Sequence, residues 1–406
     1  MRRPFAAALL AFALALSSCT RHDDTPVELA VAGATNAHVT LAADGDHVAA
    51  AWAATGPAGT NVYVARSDDA ARTFGPPVRV NDIDGDANIN GEAPPRVVLS
   101  GSRIDVVWVA KRNGVSAIRA AESVDGGATF APARTVTAEG VQGARGWQTA
   151  AIAADGTVHA AWLDGRNATR PAASAAPANA GAHVHHGDMR QDIYHAMWRG
   201  GDAAVETQVA SNVCFCCKTA LVSQGPTVYV AWRHLFPGGV RDIAIARSSD
   251  SGRTFSDPVR VSADDWKIDA CPDDGPAMAI DAGGTLHVVW PTLATDSGSP
   301  RIAVFHATSS DGGKTFSPRA RVNSPDAPAA HPKMTLDTAG RAVVAWDETS
   351  GGARRIRLRI ADQALLTLST GNASSYPAVV AAGSAIVAAW TDQSNGGSVV
   401  RVLRVR

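Results

Sequence analysis

Short apolar runs bounded by Gly, Pro, Asp and Ser recur along this chain, and seven of them end in tryptophan. They are Val48-Ala49-Ala50-Ala51-Trp52, Asp105-Val106-Val107-Trp108, Val158-His159-Ala160-Ala161-Trp162, Val228-Tyr229-Val230-Ala231-Trp232, Leu286-His287-Val288-Val289-Trp290, Val343-Val344-Ala345-Trp346 and Ile386-Val387-Ala388-Ala389-Trp390. Runs of this length and composition, with turn residues at both ends, predict strands rather than helices. Each repeat reads as four strands. In the fifth, an opening strand over 277–281 turns into the tryptophan strand, a third strand covers 301–307, and a fourth covers 319–322. Beyond the apolar run at 5–16 the chain has no long helical periodicity.

Successive tryptophans lie 56, 54, 70, 58, 56 and 44 residues apart. A strand-rich repeat with a period near fifty predicts an all-β chain folded as a β-propeller of four-stranded blades. Seven blades follow from the seven tryptophan strands, with six as the alternative. The seventh repeat stops at Arg406 after its third strand, so residues 27–31 are expected to supply the missing fourth strand and close the ring without a raw edge.

A second signature falls between the third and fourth strands. It reads Ser123-Val124-Asp125-Gly126-Gly127-Ala128-Thr129-Phe130 and returns at Ser248-Ser249-Asp250-Ser251-Gly252-Arg253-Thr254-Phe255 and Ser309-Ser310-Asp311-Gly312-Gly313-Lys314-Thr315-Phe316. A degraded copy carries Ser67, Asp69, Thr73 and Phe74. The logic is a tight turn. Ser and Asp bond nearby amides, Gly permits positive φ, and the aromatic packs into the blade. These copies resemble the Asp-box, or BNR repeat, of the sialidase family. The resemblance implies a sialidase-like propeller over 27–406. It also implies a structural role for Asp69, Asp125, Asp250 and Asp311 on the face away from the active site.

Composition adds the setting. Formal net charge is −1 with no basic run, which excludes nucleic acid as a partner. Arg2 and Arg3 precede the apolar 5–16 run, which is too short to span a bilayer and fits a secretory signal. It ends in Leu16-Ser17-Ser18-Cys19, which resembles a bacterial lipobox. That implies a signal peptide over 1–18, acylation of Cys19, a tether over 19–26 and a lipid anchor in the cell envelope, at the outer membrane.

Four cysteines then remain for an oxidising compartment: Cys214, Cys216, Cys217 and Cys271. The first three fall in the linker into the fourth blade, and Cys271 in the linker into the fifth. Three chemistries stay open. One is a structural disulfide, with Cys217–Cys271 or Cys214–Cys271 the natural pairings, since a bond between adjacent cysteines is strained. Another is a soft metal site, copper or with harder ligands zinc, built from Cys214, Cys216, Cys217 and Cys271. His183, His185, His186 and Met189, from the insertion at 163–192, would complete it. The third is redox chemistry of the Cys214-x-x-Cys217 pair.

The family resemblance implies a rival function, an exo-α-sialidase-type hydrolase on acidic glycans. Its machinery would be an arginine cluster gripping the substrate carboxylate and a tyrosine nucleophile assisted by glutamate. Candidates here are Arg96, Arg233, Arg241, Tyr376 and Glu348. A disulfide-stapled interaction platform is the non-catalytic alternative. The sequence names no protein partner.

Overall fold

The computed structural model describes residues 25–168, 190–268, 272–295, 299–394 and 397–405. Cys19, the histidine stretch with Met189, and Cys271 lie outside them. Among these residues twenty-eight strands form six antiparallel sheets, five of four strands and one of eight. In the first four-stranded unit the order is Thr35–Asp44, His47–Gly56, Gly59–Ser67 and Val78–Arg79, each strand paired with the next. The tryptophan strand is buried along nearly its whole length, as in Arg103–Arg112. Such a strand is covered on both faces by neighbouring sheets, which is why its sequence is a continuous apolar run.

Trp52, Trp108, Trp162, Trp232, Trp290, Trp346 and Trp390 are all at most 2% exposed. Each packs into an apolar cluster shared by two neighbouring units; Trp52 does so with Val387, Val400 and Val402. Truncating one to Ala would cost about 3–5 kcal/mol. The opening strands Thr35–Asp44, Arg96–Ser100, Arg145–Ile152, Ala220–Gln224, Ala277–Ile280, Ala329–Leu336 and Ser374–Ala382 touch in that order, and the last touches the first. The ring closes through the termini, because Val27–Leu29 pairs antiparallel with Gly397–Val405, Val27 facing Val402. Most fourth strands are two residues long, and so short an outer strand offers little edge for pairing.

Two features depart from the sequence expectation. The insertion is shorter at both ends than 163–192, since Val158–Asp164 and Arg190–Trp198 run further as strands. The fourth strand of the third unit, Val205–Cys214, is ten residues long. It pairs through Val213 with His234 of Thr227–Phe236, fusing two units into the eight-stranded sheet. His234 is therefore on a strand.

The four Ser-x-Asp turns follow one pattern. Ser309 Oγ accepts the Gly313 amide at 2.9 Å and donates to Asp311 at 2.8 Å, while Asp311 accepts the amide and hydroxyl of Thr315. Hydrogen bonds from Thr and Ser hold Asp125 at about 2, well below the ordinary carboxylate range. In the degraded copy Ala70 and Ala71 take φ of 54° and 66°, where the later copies place glycine at every position but Ser251. A left-handed alanine costs about 1 kcal/mol. Ala70→Gly is therefore expected to raise stability by about 0.5–1 kcal/mol, and Ser309→Ala to lower it by about 1–2 kcal/mol. Urea unfolding midpoints at fixed slope would check both.

Candidate active site at the channel mouth

Four opening strands carry a register shift near their start, between Ala37 and Thr40, Gly146 and Thr149, Ala330 and Lys333, and Ser375 and Ala378. Inside each bulge one residue has left-handed φ: His38 (62°), Trp147 (52°), His331 (55°) and Tyr376 (54°). Bulges re-aim side chains, and non-glycine residues held at positive φ concentrate at functional sites. The pairing register puts these four at one level. Each lies two residues before the one facing the residue that precedes the tryptophan, as Lys333 faces Ala345. By the same count Lys218 occupies that level in the fourth unit, because Ala220 faces Ala231. The Ser-x-Asp turns follow the other end of the third strand, so they lie at the opposite end of each unit.

Around this level a charged network assembles from five of the repeats. His331 Nε2 bonds Glu92 at 2.8 Å, Nδ1 bonds Asp347 at 2.6 Å, and the His331 amide donates to Asp274 at 2.6 Å. Lys218 Nζ bridges Glu92 at 3.2 Å and Asp274. Arg354 Nε donates to Asp347 at 2.9 Å, and the Tyr376 amide donates to the same carboxylate at 3.0 Å. The ring of Tyr376 lies 4.3 Å from that of His331 and covers Gly91, where an added Cβ would come within 2.0 Å of the phenol carbons. Glycine at 91 thus lets the loop press Glu92 into the mouth. Asp274, His331, Asp347 and Arg354 line one side of a cavity of about 380 Å³, with Trp266, Ile268, Pro291 and Ile302 among its apolar wall.

Three carboxylates face three cations here, Lys218, His331 and Arg354. Burial opposes charge on His331, but its hydrogen bonds to Asp347 and Glu92 and the neighbouring carboxylates outweigh it and lift the imidazole to about 9. Burial likewise opposes charge on Asp274, yet Lys218 and His331 hold it at about 2. Burial pushes the Tyr376 phenol up, reinforced by Glu92. Desolvation lowers His38, half-buried and without a hydrogen-bond partner for Nδ1 among the described residues, to about 4. One level deeper, burial together with Lys218 and Arg96 pushes Lys333 well below its ordinary range.

The thiols sit directly behind this mouth. Cys214 ends the long Val205–Cys214 strand, and Cys217 precedes Lys218. Cys214 and Cys217 are free, whereas Cys216 is disulfide-bonded. The expected pairings through Cys214 or Cys217 are therefore overturned. Those two sulfurs face each other at 3.3 Å, and Arg241 Nη1 reaches Cys214 at 3.6 Å, so both are turned inward and committed to one another. The Cys217 hydrogen bond and the Arg241 charge draw Cys214 down to about 6 against the effect of burial, while burial pushes Cys217 up. Cys271, His183, His185, His186 and Met189, the remaining expected ligands, lie outside the described residues.

The expected arginine cluster is not assembled. Arg96 donates to the Gln148 carbonyl at 2.9 Å, Arg233 to the Arg241 and Pro291 carbonyls, and Arg241 to Cys214. Glu348 accepts from Trp346 at 3.3 Å and lines a different hollow with Arg355 and Arg357. Alternation along the strand turns it from Tyr376, and its neighbour Asp347 takes the place beside the tyrosine. Glu92, Lys218, Asp347 and Arg354 escaped the sequence reading. A carboxylate directly after a buried tryptophan was the available signal for Asp347; Glu92 and Arg354 had none.

No protein-family model matches this chain, and no curated protein matches it by sequence. Solved structures do match. One is a protein of unknown function from Dyadobacter fermentans, 14% identical over 92% of this chain and 96% of that one, with a TM-score of 0.51. Another is an ulvan lyase, 10% identical over 93% and 95%, with a TM-score of 0.54. A third is the α-L-arabinofuranosidase of Fusarium graminearum solved with arabinobiose, 11% identical over 94% and 97%, with a TM-score of 0.52. The likeness is one of fold, a β-propeller.

The His331 shift gives a test. Its folded pKa of about 9 exceeds the unfolded value of 6.5, so its contribution is complete below pH 6.5 and lost as pH rises through 9. Chemical denaturation at pH 6.5 and pH 9.5 should show the wild type losing a few kcal/mol, with His331→Gln flattening that decline. Equal slopes in both proteins would reject the assignment.

Proposed function

We propose that this chain is a lipid-anchored envelope protein whose seven-bladed propeller binds an acidic glycan across the channel mouth and cleaves its glycosidic linkage. The observation that carries the reading is His331, held between Glu92 and Asp347 beside Tyr376 on the rim of the cavity. A protonated imidazole and a protonated phenol next to carboxylates form an acid–base set, the kind that protonates a departing sugar oxygen while a carboxylate takes a proton elsewhere. Fold relatives covering nine-tenths of this chain include an ulvan lyase and an arabinofuranosidase, which favours a glycan over other polyols. An acidic sugar is favoured by charge. The three carboxylates are already matched, and Arg96 adds a further cation whose Nη2 has no hydrogen-bond partner among the described residues. The sialidase variant of this reading is weakened by the dispersed arginines.

The test is incubation with uronate-containing polysaccharides, sialosides and neutral polysaccharides. Cleavage of an acidic member is expected, with Tyr376→Phe and His331→Gln each lowering the rate by at least about 100-fold and Ser309→Ala leaving it unchanged. New reducing ends alone would mark hydrolysis, and an ultraviolet-absorbing unsaturated product would mark elimination. Absence of both binding and cleavage across the whole panel would reject the proposal. For the anchor, Cys19→Ser is expected to move the protein from the membrane fraction to the soluble one.

A further inference from the structure

Behind the mouth lies a pair of thiols that glycan cleavage does not use. Cys214 and Cys217 are 3% and 1% exposed, are both free, and hold their sulfurs 3.3 Å apart. Trp147 and Phe215, both partly buried, pack against them. Trp147 is itself pinned, since Thr219 Oγ1 donates to its carbonyl at 2.8 Å. Arg241, 3% exposed, donates from Nη1 to Cys214 Sγ at 3.6 Å, and the Arg241 carbonyl accepts from Arg233 at 2.9 Å. A cation is thus fixed beside the sulfurs from a separate strand, Val240–Ser248.

We propose that Cys214 and Cys217 bind one monovalent copper ion as a two-coordinate bis-thiolate site. The donor set selects the metal. Three sulfurs, those of Cys214, Cys216 and Cys217, lie within 4.8 Å of one another, and no imidazole or carboxylate joins that group among the described residues. The Cys216 sulfur is in a disulfide, which leaves two thiolates. Zinc takes four ligands and calcium or magnesium takes oxygen, whereas soft thiolates in low number suit copper(I). Two thiolates and one copper(I) carry a net charge of −1, and the Arg241 guanidinium offsets it without competing for the metal, since it has no lone pair to give. Ion entry displaces the thiol protons, so that both sulfurs bind as thiolates. With metal–sulfur bonds of roughly 2.3 Å, the zinc–thiolate length, the sulfurs stand up to roughly 4.6 Å apart, so the pair opens by side-chain rotation as the ion enters. The aromatic cover then shields the ion from oxidation.

The proposal stands apart from the glycan reading, and its test does not involve a glycan. The full chain, purified without reductant so that the Cys216 disulfide stays closed, is titrated anaerobically with copper(I) against a chromophoric chelator. One equivalent per chain should be withheld from the chelator, with Cys214→Ser and Cys217→Ser each weakening affinity by at least about 100-fold and Arg241→Gln by about 10-fold. Retention of copper at wild-type affinity by the double Cys214→Ser/Cys217→Ser variant, or no withheld copper in the wild type, would overturn the proposal. Because those variants could misfold, copper-edge X-ray absorption on the wild type supplies an independent outcome. A shell of two sulfurs supports the site, and a shell of three or more ligands overturns it.

Discussion

Pairing of Val27–Leu29 with Gly397–Val405 is the constraint on which the arrangement of the mouth depends. The network there draws on Glu92, Lys218, Asp274, His331, Asp347 and Tyr376, residues spread over nearly 300 positions of sequence and placed by different sheets. An open ring would let the first and last units drift, and with them Tyr376 from Gly91 and His38 from Tyr376. The seven buried tryptophans supply the cohesion between neighbours. The terminal pairing makes that cohesion cyclic, so that each unit is held from both sides.

Within this ring the mouth is built by irregularity. The regular parts of the units are interchangeable: apolar central strands, short outer strands, and Ser-x-Asp turns at the far end. The bulges break that regularity at His38, Trp147, His331 and Tyr376, each accepting a left-handed backbone that a regular strand would avoid. Fold stability and site chemistry are therefore separated along each opening strand. The start of the strand bears strain and charge, and the rest bears packing. The repulsion that clustered carboxylates would create is offset within the cluster, where Lys218 and His331 each contact two acidic residues.

The third and fourth units break the repeat in a second way. Lengthening the outer strand to Val205–Cys214 lets it join the next sheet through Val213 and His234. This brings Cys214 against Cys217 and under Arg241. Lys218, which follows immediately, belongs to the mouth. One eight-residue stretch, Asn212 to Thr219, thus ends a strand, supplies the buried thiols and delivers a cation to the acid–base network.

By itself the sequence determined the all-β propeller fold. Period and strand content are local properties, since a run such as Val228–Trp232 needs burial on both faces wherever it folds, and a Ser-x-Asp turn is satisfied by its own backbone. The closing strand was equally legible, because a seventh repeat lacking its fourth strand needed one. Tyr376 and the thiol stretch stood out as candidate site residues. What only the tertiary structure decided was partnership. Glu92 and Arg354 are ordinary surface-type residues in the sequence, and they become site residues through loop approach and register. Arg96, Arg233 and Arg241 looked available for a carboxylate, but burial gave them internal carbonyls and the Cys214 sulfur. The three neighbouring cysteines were indistinguishable in sequence, and only the folded chain separated the free pair, Cys214 and Cys217, from the disulfide-bonded Cys216.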